Sequence, residues 1–478
     1  MFSNIKDSPN YRWYIFAAVS IGTFMATLDG SVVNVALPSI SGNLHAGLSE
    51  VQWVVTAYLL AISSLLPIWG RVADLLGRKK IYSAGFMVFT LGSALCGLAP
   101  NIWFLVGMRV LQAVGASMMM SNSFAIVTAT FPPGERGKAM GLTGTVVALG
   151  SLTGPAIGGL LVGLAGWRSI FYINLPIGVL GYLIAQITLP SDHSTKKQEQ
   201  FDFLGAALFS LGMVAMLLGI NNGEAWGWSS TPLLVTLTFG IAVLGLFFLT
   251  ESRVPYPMID ISLFKIRPYL LGNISGLLSF VSMFCNNILL PFYLQQILGY
   301  SPSRVGLIMM AYPLTLAIVA PISGNASDKI NPLILATGGL TIAGIGLFYM
   351  STLTSGITFW QVIPGPIIMA MGAGMFQSPN NNSVMSSVPP PKLGVAGGIT
   401  ALVRNVGMVV GIALAVSLFE ALGGVAHPSI AQIPAFMHAF RYVMLTAMGI
   451  AFTGALVSLS RKGYQGAQHS NQANPNKA

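Results

Sequence analysis

Charged side chains are scarce in this chain: Asp, Glu, Lys and Arg make up 8% of its 478 residues, whereas 54% of the residues are hydrophobic. Soluble domains carry about 25% charged residues, so this composition excludes an ordinary soluble protein. Cysteine is nearly absent. Cys96 and Cys285 lie in apolar stretches with no second cysteine nearby, which argues against a disulfide framework or a cysteine metal site.

Long apolar runs recur from one end of the chain to the other, with a mean hydropathy of +0.73. Runs of about 20 apolar residues predict helices that cross a bilayer, so we expect an all-α polytopic membrane protein. Hydropathy and charged or Pro/Gly breaks divide the chain into fourteen predicted spans. They cover approximately residues 13–38, 50–70, 81–99, 102–124, 138–163, 168–189, 203–221, 231–250, 268–290, 304–323, 332–353, 358–378, 394–419 and 437–460.

Basic residues outnumber acidic residues, 23 against 13, and their distribution predicts the orientation. With the N-terminus in the cytoplasm, 18 of the 23 Lys and Arg residues fall in cytoplasmic loops, as the positive-inside rule requires. An even number of spans puts both termini in the cytoplasm. We therefore expect a multi-pass protein of the cell (inner) membrane, and the net charge of +10 is no indication of nucleic-acid binding.

The chain matches itself at a shift of 257 residues, which indicates an internal duplication. The matched pairs include Gly115 with Gly372, Gly150 with Gly407, and Gly154 with Gly411; at a shift of 254, Gly70 pairs with Gly324 and Asp74 with Asp328. Six spans fill each repeat, and two further spans lie between the repeats. The predicted architecture is 6 + 2 + 6: a six-helix bundle over 1–190, two inserted helices within 191–255, a second six-helix bundle over 256–460, and a disordered tail over 461–478. Bundles of this kind enclose a central cavity.

Asp29 lies inside the first apolar span. A charged residue at the centre of a membrane helix costs roughly 2.5–3.5 kcal/mol, so such residues face the protein interior or a wet cavity. We expect Asp29 to bind a proton or a cation; the alternative is a buried Asp paired only with Arg109 or a backbone group. Arg109 and Gln112 lie one turn apart on the fourth span, and Arg109 could instead only pin helix ends. Glu420 is the next acidic candidate, or a merely interfacial residue.

Two glycine-containing motifs stand out. The turn after the second span contains Gly70, Asp74, Gly77 and Arg78, where glycines allow a tight reversal and Asp74 can cap the next helix; an ordinary basic loop is the alternative. In the fifth span a proline bends the helix while glycines let a neighbouring helix approach, and generic packing is the alternative. That motif comprises Gly150, Gly154, Pro155, Gly158 and Gly159.

Soft apolar side chains, amides and one further intramembrane cation are candidates for a substrate cavity, although most could serve in packing. These candidates are Asn34, Gln112, Met119, Asn122, Phe284, Asn287 and Arg404.

Several of these segments resemble motifs of the major facilitator superfamily, in particular its fourteen-helix drug:proton antiporters. The 70–80 turn is similar to the loop that gates alternation, with Asp328 as its counterpart in the second repeat, although Leu75 stands where a basic residue is usual. The fifth span resembles the antiporter signature, and the segment around Arg109 resembles the fourth-helix motif tied to proton transfer, with Ala113 in place of a usual glycine. Asp29 to Pro38 and Trp167 to Pro176 also resemble that family.

The sequence contains no nucleotide-binding glycine loop with lysine, no metal-ligand cluster and no Ser/His/Asp constellation. We therefore expect a transporter rather than an enzyme, without a cofactor or metal, acting as a monomer on a small-molecule substrate and on protons. The expected function is proton-coupled export of amphipathic, lipophilic and cationic drugs by alternating access. Alternatives are export of an endogenous lipid, siderophore or metabolite, symport, and a non-transporting membrane sensor.

Overall fold

The computed structural model describes residues 10–132, 136–190, 202–227, 229–251, 253, 261–327, 330–389 and 393–461. Their regular structure is helical, as expected for apolar segments that must satisfy every backbone polar group internally. Fourteen described helices have fifteen residues or more. They are α1 (Tyr11–Leu44), α2 (Trp53–Leu76), α3 (Arg78–Gly97), α4 (Ile102–Thr130), α5 (Arg136–Ala165), α6 (Asn174–Thr188), α7 (Phe203–Asn221), α8 (Thr231–Glu251), α9 (Arg267–Phe292), α10 (Pro302–Ala326), α11 (Pro332–Ser351), α12 (Pro364–Ser386), α13 (Leu393–Ala421) and α14 (Ile433–Leu459).

Twelve of the described helical segments are long and apolar enough to cross a membrane. The two long helices outside this set are α3, which begins with three basic residues, and α5, whose apolar part is the shorter segment Leu149–Ala165. The expected all-α polytopic architecture is confirmed. Fourteen crossings and the 6 + 2 + 6 order remain predictions.

Two of the predicted spans end too early at or next to a proline. The first span was expected to stop at Pro38 and the twelfth at residue 378, but α1 continues to Leu44 and α12 to Ser386, with Pro38 and Pro379 inside the helices. In a packed membrane bundle, neighbouring groups can satisfy the backbone carbonyl that a proline leaves without its helix hydrogen bond. Side-chain caps begin other helices as expected: Asn101 Oδ1 accepts from Phe104 N at 2.9 Å.

The chain divides into two compact units. Unit 1 comprises Met1–Phe247, Leu290–Met310 and Val425–Ser429, and unit 2 comprises Phe248–Leu289, Ala311–Gly424 and Ile430–Ala478. Unit 1 thus includes α7 and most of α8. The predicted tail, apart from Arg461, lies outside the described residues.

Within unit 1, α1 packs against α4, α5 and α6, and α3 packs against α4. Aromatic side chains fill the space between α1, α3 and α4, among them the fully buried Tyr82, Phe86 and Phe89. Tyr82 Oη donates to Val19 O at 3.0 Å, which fixes α3 to α1. Ser210 Oγ donates to Ser64 O at 3.2 Å and joins α7 to α2.

The glycines paired by the 257-residue shift make equivalent contacts in the two units. In unit 1, Gly115 lies against the backbone of α3 and Gly154 against α1; in unit 2, Gly372 lies against the backbone of α11 and Gly411 against α9. A side chain at any of these positions would collide with the neighbouring helix. The two repeats therefore use the same positions to bring the same pairs of helices together.

Candidate functional site

Asp29 is 2% exposed and accepts three hydrogen bonds inside unit 1. Its Oδ2 accepts from Arg109 Nη1 at 2.6 Å, and its Oδ1 accepts from Gln112 Nε2 and Asn174 Nδ2, both at 2.9 Å. A buried carboxylate is stable only if it is paired and hydrogen-bonded. These donors, from α4 and α6, meet that requirement.

Arg109 is held by more than its carboxylate partner. Its Nε donates to Val54 O at 3.0 Å and its Nη1 donates to Gln112 Oε1 at 2.6 Å. The guanidinium lies 4.0 Å above the ring of Tyr58, a cation–π contact. Groups on α2 and α4 would therefore keep Arg109 in place even when the carboxylate is neutral.

Sequence reasoning identified Asp29, Arg109 and Gln112 but missed other members of this cluster. Asn174 begins α6, and Ser93 Oγ accepts from Asn174 Nδ2 at 2.9 Å and from Gln112 Nε2 at 3.1 Å. The available signal was an amide at the start of an apolar segment. It did not indicate that Asn174 would contact a residue 145 positions earlier.

The motif of the fifth span has two faces on α5. Gly150, Gly154 and Gly158, spaced four residues apart, form a glycine face against α1, where Ser31 Oγ donates to Gly150 O at 3.2 Å. Pro155 and Gly159 form the second face, described next. The glycine face lets the two backbones approach closely.

The second face of α5 contacts the first turns of α10, also within unit 1. Ser303 Oγ donates to Gly159 O at 3.1 Å, and a Cβ at Gly159 would lie 2.6 Å from Pro302 O. Gly306 packs directly against the Pro155 carbonyl. We call this contact, formed by Pro155, Gly159, Pro302, Ser303 and Gly306, the α5–α10 seam.

The turn motif is described in part. Gly77 has φ of +103° and allows the sharp reversal between α2 and α3. Arg78 Nη1 donates to Ala125 O at 3.2 Å, and Gly70 lies near the Ser121 Cβ on α4. Asp74 occupies the last turn of α2. Asp328 lies outside the described residues.

The cavity candidates fall into two groups. In unit 1, Met119 and Asn122 are fully buried, Asn122 Nδ2 donates to Met118 O at 2.8 Å, and Asn34 Nδ2 donates to Gly30 O at 3.4 Å. Gln112 belongs to the Asp29 cluster.

In unit 2, Phe284 is buried, whereas Asn287 and Arg404 are half-buried, and each has a buried polar atom without a hydrogen-bond partner among the described residues. Glu420 lies one residue before α13 ends. In the part of the chain that the structure describes, no group of three His, Cys, Asp or Glu side chains is suited to a metal.

Comparison with known proteins identifies the family. The sequence profile of the Major Facilitator Superfamily matches residues 19–412 and 272–474. The chain belongs to the major facilitator superfamily. The resemblance found from the motifs is thereby confirmed, and the protein is a multi-pass membrane transporter rather than an enzyme.

Relatives within this superfamily have several described substrates. The chain is 37% identical over 408 residues to riboflavin transporter RibZ of Clostridioides difficile, covering 85% of this chain and 88% of the relative. It is 33% identical to multidrug resistance protein Stp of Mycobacterium tuberculosis, covering 84% and 75%, and 32% identical to multidrug transporter protein MdtP of Bacillus subtilis, covering 86% and 76%.

The fold also resembles a solved transporter structure. A bacterial homologue of the human drug peptide transporters PepT1 and PepT2 matches with a TM-score of 0.69 at 15% identity, over 96% of this chain and 99% of that chain. This likeness supports the major facilitator fold.

Proposed function

We propose that this transporter is a proton-coupled antiporter that exports amphipathic, lipophilic compounds across the cell membrane by alternating access, with both termini in the cytoplasm. The observation that carries the proposal is the buried ion pair of Asp29 and Arg109, 2.6 Å apart inside a membrane bundle. Intramembrane carboxylates that can gain and lose a proton are the usual elements of proton relays.

The contacts around Asp29 support a two-state cycle. Protonation would neutralise the carboxylate and release its ion pair, while Arg109 would keep Val54 O, Gln112 Oε1 and the Tyr58 ring as partners. The proton would therefore weaken the contact of α1 with α4 without leaving Arg109 free of partners.

Packing offers a route from this proton site to the rest of the molecule. Asp29 points from α1 towards α4 and α6, whereas Ser31, two residues later, contacts the glycine face of α5. The other face of α5 forms the α5–α10 seam. A shift of α1 on protonation would thus act on α5, and alternating access would require the seam to open and close.

The names of the relatives support drug transport and leave the substrate open. Stp and MdtP are described as multidrug proteins, in line with the antiporter signature of α5. RibZ, described as a riboflavin transporter, favours a second candidate, transport of an endogenous metabolite. The expectation of a cationic substrate assumed a free carboxylate at Asp29. In this conformation both carboxylate oxygens already accept hydrogen bonds.

The test is substrate-dependent proton movement in liposomes that carry an internal pH dye. Wild-type protein should move protons when a transported compound is added, and Asp29→Asn should abolish this movement. Glu420→Gln, which removes the other candidate carboxylate, is the matched control and should behave as wild type. Proton movement that survives in Asp29→Asn would overturn the assignment of Asp29, and transport that ignores an imposed proton gradient in wild type would overturn antiport.

A further inference from the structure

Arg404 is a second intramembrane arginine, and its surroundings differ from those of Arg109. It lies on α13, eleven residues after Leu393, or about 17 Å along the axis at 1.5 Å per residue. Its side chain is half-buried, and its Nε is buried without a hydrogen-bond partner. Within the described residues, the guanidinium forms no ion pair with a carboxylate, and no carbonyl accepts a hydrogen bond from its Nε.

Neither described carboxylate of unit 2, Glu420 or Glu251, forms an ion pair with Arg404. Glu420 lies on α13 itself, sixteen residues beyond Arg404, which is about 24 Å along the axis. Glu251 is the last residue of α8. In unit 1 the charges of Asp29 and Arg109 cancel. In the middle of the described spans, Arg404 therefore carries the charge that no opposite charge compensates.

Helix packing places Arg404 beside α9. Tyr269 Oη donates to Ala396 O at 3.1 Å, and a Cβ at Gly407 would lie 2.9 Å from Leu277 O. Arg404 falls between these two contacts, alongside residues 269–277. In that stretch Asn273 is buried, its Nδ2 donates to Tyr269 O at 2.9 Å, and its Oδ1 has no partner among the described groups. α9 itself carries no acidic residue that could balance the charge of Arg404.

We propose that Arg404 recognises a negatively charged group, such as a carboxylate, sulfonate or phenolate, on the transported compound, so that the substrates are amphipathic organic anions. The inference rests on the proposed export function and narrows its substrate class. A guanidinium withdrawn from water is stabilised by an anion that pairs with its planar N–H groups. A cation would be repelled by Arg404 and would find the Asp29 oxygens already occupied.

The test uses two dyes built on the same xanthene ring, carboxyfluorescein as the anion and tetramethylrosamine as the cation. Counterflow into preloaded liposomes is measured without a proton gradient. Wild-type protein should exchange the anion faster than the cation. Arg404→Gln should slow anion exchange about tenfold or more, the expected size for a lost charge-assisted contact, whereas Arg404→Lys should keep most of it.

Arg441→Gln is the matched control, because Arg441 is an exposed arginine eight residues after the first residue of the neighbouring helix α14 and the change should leave the dye preference unchanged. Wild-type protein that prefers the cation, or that exchanges neither dye, would overturn the proposal, as would an unchanged preference in Arg404→Gln. The thermal unfolding midpoint of each variant is measured in parallel. If Arg404→Gln does not fold, Arg404→Lys decides: a reversed preference for the cation in this variant overturns the proposal, and a kept preference for the anion supports it.

Lipid headgroups are a second source of anions, and the liposome composition separates them from substrate. The experiment is run in pure phosphatidylcholine and with added phosphatidylglycerol. An effect of Arg404→Gln in both supports substrate recognition, and an effect confined to the anionic lipid overturns it. Counterflow needs no proton gradient. A negative result for Arg404 therefore does not change the interpretation of the Asp29 experiment, and a loss of proton coupling does not change the interpretation of dye exchange.

Discussion

The two units share their packing but differ in how they treat charge inside the membrane. In unit 1 Arg109 lies 2.6 Å from the Asp29 carboxylate and is 1% exposed. In unit 2 Arg404 has no ion pair with a carboxylate among the described residues, and Arg461, two residues after α14 ends, donates to the neutral Asn380 Oδ1 at 2.8 Å. The two units thus share glycine contacts between their helices, while the carboxylate–guanidinium pair lies in unit 1.

This difference suggests a division of labour. Gly150 and Gly154, which join α1 to α5, have counterparts in Gly407 and Gly411, which join α9 to α13, so both units can pack these helices in the same way. Ile412 stands at the repeat position of Pro155, and Pro366 stands at that of Arg109. A closed ion pair suits proton exchange, whereas an unpaired cation suits the binding of a ligand.

The largest expected effect comes from breaking the ion pair of unit 1. Arg109→Met should lower the free energy of unfolding by about 3–5 kcal/mol, because it leaves the Asp29 carboxylate buried without its charged partner. Unfolding in detergent micelles measures this change. Adding Asp29→Asn to Arg109→Met should recover a large part of the loss, and a double variant no more stable than the single one would show that the pair is not the cause.

The same substitution in unit 2 should have the opposite sign. Arg404→Met removes a desolvated charge that has no compensating partner. The free energy of unfolding should therefore stay unchanged or rise by up to about 4 kcal/mol, the range found when buried ionic groups become apolar. The same unfolding measurement applies. A loss as large as that of Arg109→Met would mean that Arg404 has an anionic partner in the folded protein and would remove the contrast between the units.

The shared packing can be tested with matched valines. Gly154→Val and Gly411→Val each place a branched side chain against a neighbouring helix, at Ser31 and at Val281 respectively. Overpacking of this kind costs about 1–3 kcal/mol, and the two losses should be similar. If only one variant loses stability, the two glycines are not equivalent.

Sequence reasoning succeeded where one local signal decided the result. Apolar runs located each long helix, and polar residues inside such runs identified Asp29, Arg109 and Gln112. The predicted helix ends at Pro38 and before Pro379 were wrong because tolerance of a proline depends on the neighbouring helices. The contacts of Asn174 and of the α5–α10 seam were not predicted for a similar reason, since both join distant parts of the chain.

The smallest effect concerns the segment Val425–Ser429, which packs with unit 1 although the helices on both sides belong largely to unit 2. The Ser41 hydroxyl donates to Ala46 O at 2.6 Å, so its oxygen accepts from His427 Nε2 at 2.9 Å. Desolvation of the docked side of the His427 ring lowers its pKa below the ordinary 6.5. The undocked segment therefore binds the proton more readily, and docking should weaken as the pH falls below 6.5.

The Nε2–H donor is present in both the neutral and the charged ring, so the hydrogen bond itself survives protonation and the change in docking should be small. The measurement is the hydrogen-exchange rate of residues 425–429 between pH 5 and 8 in wild-type protein, divided by the rate in His427→Gln. This variant keeps an N–H donor but does not titrate. The ratio should rise only at acid pH. A ratio that stays constant across this range would show that the contact holding this segment to unit 1 is insensitive to the protonation of His427.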